Sequence, residues 1–219
     1  MIAIIAGPLL CYFLWRDWQR RNDRSASSGE QLYRDVKTLL DRPEIIAGQA
    51  NGSWKLYGNY RNAPFQFQTV TDTLSTRKLP VLLLMVTLPK PQKVSGTVDM
   101  MMRSAAASTF SNFDFLPYTM QTPSDFPKQA VLRSDKLELP QSIDAIRSHL
   151  ANIETWNLKE LLVSPHGLRI VVMLAEADRS RYGVFREADF GNIYINGKIA
   201  TEIMDALWRM DRDFGIQHG

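Results

Sequence analysis

Residues 158–175 read LKELLVSPHGLRIVVMLA. Leu158 to Val163 and Leu168 to Ala175 are apolar runs of strand length, and Ser164-Pro165-His166-Gly167 lies between them. Proline presets φ at the second turn position, and glycine near the end supplies the freedom the chain needs to reverse. The stretch predicts an antiparallel hairpin. Working upstream, Trp54, Leu56, Gly58 and Tyr60 alternate with polar neighbours, Arg61-Asn62-Ala63-Pro64 supports a turn, and Phe65, Phe67 and Thr69 alternate again. That period of two predicts a second hairpin. Val81 to Val86 is apolar on both faces, as a central strand is, and Pro80 and Pro89 bracket it too closely for a membrane span. Val94 to Met102 reads as a further strand, and Tyr182 to Asn196 as edge strands through Tyr182, Val184, Ile193 and Ile195.

Helical spacing appears in three places. Leu32, Val36, Leu39 and Leu40 form one stripe, opened by a capping box at Ser28 and Gln31 and ended by Asp41-Arg42-Pro43. Ile143, Ile146, Leu150 and Ile153 form a second, and Ile199, Ile203, Leu207, Met210 and Phe214 a third. Ser104 to Pro140 carries Pro117, Pro123, Pro127 and Pro140 around Phe113, Phe115, Leu116 and Tyr118, and reads as a long, partly packed connection. Regular βαβ alternation is absent. The expected class is therefore α+β, a largely antiparallel sheet with helices packed on it, in a single domain over residues 31–215.

At 219 residues, 45% hydrophobic and 22% charged, the chain supports one sizeable core and lacks the composition of a disordered chain. Arg16, Arg20, Arg21 and Arg24 against Asp17 and Asp23 account for +2 of the +3 net charge, four minus two. The body is left near +1, which gives no electrostatic reason to expect nucleic acid as a partner. The pI of about 9 reflects near-balanced charge, not a basic surface. Cys11 is the only cysteine, so no intrachain disulfide forms.

Residues 1–21 read as an N-terminal membrane anchor. Met1 to Trp15 carry no charge, Ile4, Leu9, Leu10, Phe13 and Leu14 give the run its hydrophobicity, and Trp15 and Trp18 suit the interfacial belt. Fifteen residues are short for a bilayer, which takes about 20, and snorkelling Arg16 and Arg20 extend the run. The positive charges follow the apolar run, unlike those of a cleaved signal peptide. Leu10 before Cys11 departs from a lipobox, and Trp15 to Arg21 argues against a buried helix of the soluble domain. With Arg16, Arg20, Arg21 and Arg24 all C-terminal to the run, the positive-inside rule places the body in the cytoplasm. Residues 22–30 form a polar tether.

Signs of chemistry are sparse. His149, His166 and His218 are the only imidazoles, and no paired spacing supports a zinc site. Neither a phosphate loop, a dinucleotide fingerprint nor a nucleophile elbow is present, and the Asp-Phe-Gly triplets at 189–191 and 213–215 lack every other kinase element. Asn51-Gly52-Ser53 spells a glycosylation sequon, but Asn-Gly is also a turn dipeptide. Asp99, Asp114, Asp125, Glu154, Asp178, Glu187 and Asp189 are available carboxylates. Among catalytic candidates Asp114, His149 and Glu154 stand out, Asp114 because it lies between Phe113 and Phe115 and must face solvent or find a partner. No metal or cofactor is expected. The pattern leads to a non-catalytic, membrane-tethered interaction module, with lipid at the anchor and a protein partner for the body. The alternative is a membrane-anchored hydrolase using carboxylates.

Overall fold

In the computed structural model the described residues are 29–47, 53–72, 79–102, 110–137, 142–149, 157–179, 188 and 190–216. The anchor at 1–21 and the tether up to residue 28 lie outside them. Nine strands are described: β1 (Asp41–Ala47), β2 (Trp54–Tyr60), β3 (Ala63–Asp72), β4 (Val81–Leu88), β5 (Val98–Met102), β6 (Tyr118–Met120), β7 (Ala130–Ser134), β8 (Leu158–Ser164) and β9 (Gly167–Glu176). They form one sheet in the order β1-β2-β3-β4-β9-β8-β5-β7-β6. Every neighbouring pair is antiparallel. It is accompanied by helices that include α1 (Arg34–Lys37), α2 (Ser142–His149) and α3 (Gly197–Ile216). The α+β class expected from the sequence is the one observed.

The strand registers explain why one face is covered. Ile45, Leu56, Phe67, Val86, Ile170, Leu161, Met100, Leu132 and Met120 are successive cross-strand partners, an apolar row that crosses all nine strands. Because side chains alternate faces, a one-residue shift in register would carry this entire row to the other side, so burying it fixes the pairing. Helix α3 lays Ile203, Met204, Leu207, Met210 and Phe214 onto this face, and α1 and α2 add Val36, Ile143 and Ile146 to the same core. Each fully buried side chain of this size contributes about 1.5–3 kcal/mol. Tyr33 anchors the N-terminal end: its ring meets Phe67 edge-on and its hydroxyl donates to the Trp54 carbonyl at 2.8 Å. No helix among the described residues is long and apolar enough to cross a membrane.

Both predicted hairpins form. Arg61 and Asn62, at φ 50° and 63°, make the two-residue turn between β2 and β3, so Ala63 and Pro64 belong to the strand. In the β8–β9 hairpin Gly167 opposes Ser164, and a Cβ at Gly167 would lie 2.5 Å from the Leu88 carbonyl oxygen. Gly167→Ala is accordingly expected to cost on the order of 1–3 kcal/mol in urea unfolding, because the obstructing atom is backbone.

Several elements differ from the sequence reading. Asp41-Arg42-Pro43, read as a helix stop, also opens β1, which enters the sheet through a bulge between Asp41 and Glu44 with Arg42 at φ 52°. Ser104 to Pro140 is more than a connection, since β6, β7 and a 3₁₀ turn at Phe113–Phe115 lie within it. The strand expected from Val94 begins only at Val98, after a bend at Ser95-Gly96. Ile193 and Ile195 form no strand; the Ile195 amide donates to the Leu32 carbonyl at 3.0 Å and its side chain is buried. Tyr182, Val184, Ser28, Leu150, Ile153 and the Asn51-Gly52 turn lie outside the described residues.

Candidate functional site

The row beside the apolar one has the opposite character. Glu44, Tyr57, Gln66, Thr87, Arg169, Leu162, Asp99, Arg133 and Thr119 are successive partners across the sheet, on the face away from α3. Near its middle three charged groups converge. Asp99 on β5 opposes Leu162, Leu162 opposes Arg169 on β9, and Glu160 on β8 sits diagonal to both, opposite Met101 and Val171. Glu160 alternates with Leu161 and Val163 of the core and so faces the same side as Asp99 and Arg169, while a register shift between Leu158 and Glu160 returns Leu158 to the core.

The polar contacts are specific. Arg169 Nε donates to Glu160 Oε2 at 2.9 Å. Ser111 Oγ donates to Asp99 Oδ2 at 3.3 Å and accepts the Phe113 amide at 3.1 Å. Asp99 is 1% exposed and Glu160 0%. Asp99 Oδ1 and Glu160 Oε1 are buried with no hydrogen-bond donor. Burial, and then the charge of Glu160 beside it, push the Asp99 carboxyl up to about 8 against the pull of Arg169. Arg133, opposite Asp99 in register, spends its Nη1 on the carbonyls of Asp114 at 2.9 Å and Leu116 at 3.4 Å and lies over the Phe113 ring.

These contacts fasten the 110–116 segment onto the sheet, and the segment leads directly into β6. The two ends of the sheet are unlike. On β1, Asp41, Arg42 and Glu44 are exposed charged or bulge-forming residues and Pro43 has no amide proton to offer, which are common protections of a sheet edge. On β6, Tyr118-Thr119-Met120 carries no charge, and no described strand covers its outer side. Phe115, 84% exposed, precedes it. Leu137, 74% exposed, follows β7 three residues beyond Ser134, the register partner of Tyr118.

The sequence candidates fall elsewhere and are not brought together. Asp114 is exposed in the 3₁₀ turn, where its backbone carbonyl takes the Arg133 bond. His149 lies in the helix layer, its Nε2 2.7 Å from Asp213 Oδ2, tying α2 to α3. Glu154 lies outside the described residues. Asp99 is among the available carboxylates of the sequence, whereas Glu160 and Arg169 lie inside apolar strand runs; a carboxylate in one arm of the hairpin and a guanidinium in the other are the signal. No group of three His, Cys, Asp or Glu suited to a metal occurs among the described residues. Comparison with protein-family models and with curated protein sequences finds no match for this chain.

Proposed function

We propose that the chain is a non-catalytic interaction module that adds an extended segment of a partner protein to the β6 edge. The contrast between the two sheet edges carries this reading: β1 is guarded by charge, proline and a bulge, whereas β6 carries no charge, has no described strand on its outer side, and presents Tyr118 between exposed Phe115 and Leu137. A strand added to an open edge gains main-chain hydrogen bonds, and exposed apolar groups beside it select apolar side chains at alternate positions of the guest. Residues 1–21, read as an anchor inserted in lipid, and the tether of residues 22–30 would hold this edge at the cytoplasmic side of a membrane, where the module acts as an accessory subunit. The hydrolase reading draws on two acids meeting at one place, but both are sealed from solvent and one is already neutralised by Arg169, so the burial favours the non-catalytic role.

A photoreactive side chain at Tyr118 is expected to give a discrete cross-linked adduct in cells, and the same group at Ile46 on β1 none. Adducts from position 46 and not from 118 would place the partner at the wrong edge for this proposal.

A further inference from the structure

Asp99 and Glu160 each leave one buried oxygen without a donor, and among the described residues the cation bonded to the pair, Arg169, is engaged with the other oxygen of Glu160. Two ionised carboxylates would place two like charges side by side in a buried position. One proton between them satisfies both oxygens and leaves a single negative charge for Arg169. A metal ion suits the site less well: calcium takes about six to eight oxygen ligands, and among the described residues Asp99, Glu160 and Ser111 are the oxygen-bearing side chains these contacts bring together. The groups facing the pair are Arg169 from β9, with Thr87 of β4 opposite it, Arg133 from β7, committed to the Asp114 and Leu116 carbonyls, Leu162 and Met101 within β8 and β5, and Ser111 from the 110–116 segment.

We propose that Asp99 Oδ1 and Glu160 Oε1 share one proton, and that this proton, by keeping a second charge out of the sealed site, lets the 110–116 segment close over Asp99 and so holds the β6 edge in its binding position. Removing the proton puts a second negative charge into a sealed site. Relief comes from admitting water, and the segment that closes over Asp99 through Ser111 and the buried Phe113 is what must lift. The raised titration of Asp99 places the release on the alkaline side of neutrality. The consequence for partner binding rests on the edge reading above; the shared proton does not.

The test uses the full chain and two readouts. Infrared spectra at pH 6.5 are expected to show a protonated-carboxyl carbonyl band that is lost above about pH 9, and lost at pH 6.5 in Asp99→Asn and in Glu160→Gln. A spin label at Phe115→Cys, with Cys11→Ser, is expected to become more mobile over the same rise in pH in the otherwise native chain. In Asp99→Asn, whose amide stands in for the protonated acid, the label is expected to stay immobile at both pH values. Absence of the band at pH 6.5, or a band that persists in both variants, overturns the shared proton. A band that titrates while the label does not respond overturns the coupling. Added calcium that abolishes the band at pH 6.5 overturns the assignment in favour of a cation. Failure of the Tyr118 cross-link leaves both spectroscopic readouts untouched, so loss of the edge reading is distinguishable from loss of this one.

Discussion

Truncating Arg169 to alanine is expected to lower the unfolding free energy by about 3–5 kcal/mol, the usual penalty for leaving one partner of a buried ion pair behind. Glu160 is fully buried and its Oε2 takes the Arg169 bond, so the variant leaves a carboxylate beside Asp99 with no cation among the described residues bonded to it. The loss arises mainly from the abandoned charge, not from the missing attraction. Adding Glu160→Gln to the alanine variant should therefore recover part of it, although two residues of the native cluster are then replaced. Urea unfolding of the single and double variants measures the coupling directly. A Glu160→Gln addition that deepens the loss would show that the ion pair is not its source.

Replacing Asp99 with asparagine should have the opposite sign at high pH. A carboxyl raised from its ordinary value of 3.8 to about 8 holds its proton in the folded protein over a range where the unfolded chain has released it. The folded state then binds more protons than the unfolded one, so stability falls as pH rises from about 4 to about 8, by up to roughly 1.4 kcal/mol per pH unit, and levels off beyond. Asparagine keeps the shape without the titration. Relative to the native chain it should gain ~3–5 kcal/mol between pH 5 and pH 8. Parallel stability profiles for the two proteins would mean that Asp99 ionises in the folded state as it does in the unfolded one.

The sheet was legible where local rules and tertiary pairing agree. Alternation in β2 and β3, the apolar run of β4 and the Pro-His turn of the β8–β9 hairpin each satisfy a short-range rule, and each forms. Elements that depend on distant partners were not legible. β1 pairs through a bulge that only β2 explains, and Asp41-Arg42-Pro43 reads locally as a helix stop. β6 is three residues between Pro117 and Pro123, too short to show a period, and exists because β7 pairs with it. The acid pair was hidden for a related reason. Glu160 and Asp99 are far apart in sequence and meet only because β8 pairs with β5 in a register that sets Glu160 diagonal to Asp99. His149 and Asp114 drew notice for their residue type and setting, and their surroundings give them other roles: His149 joins two helices, and Asp114 supplies a carbonyl to Arg133.

In the function proposed above, the β6 edge binds a partner while the buried acids maintain the site without acting on that partner. The most direct measurement is the yield of the Tyr118 cross-linked adduct at neutral pH in three versions of the full chain: native, Thr119→Pro, and Asp99→Asn with Glu160→Gln. An adduct is expected in the native chain and in the double amide variant, and its loss in Thr119→Pro, where proline disrupts the edge strand. Loss of the adduct in the double amide variant, with its fold intact by circular dichroism, would show instead that the carboxyls themselves engage the partner.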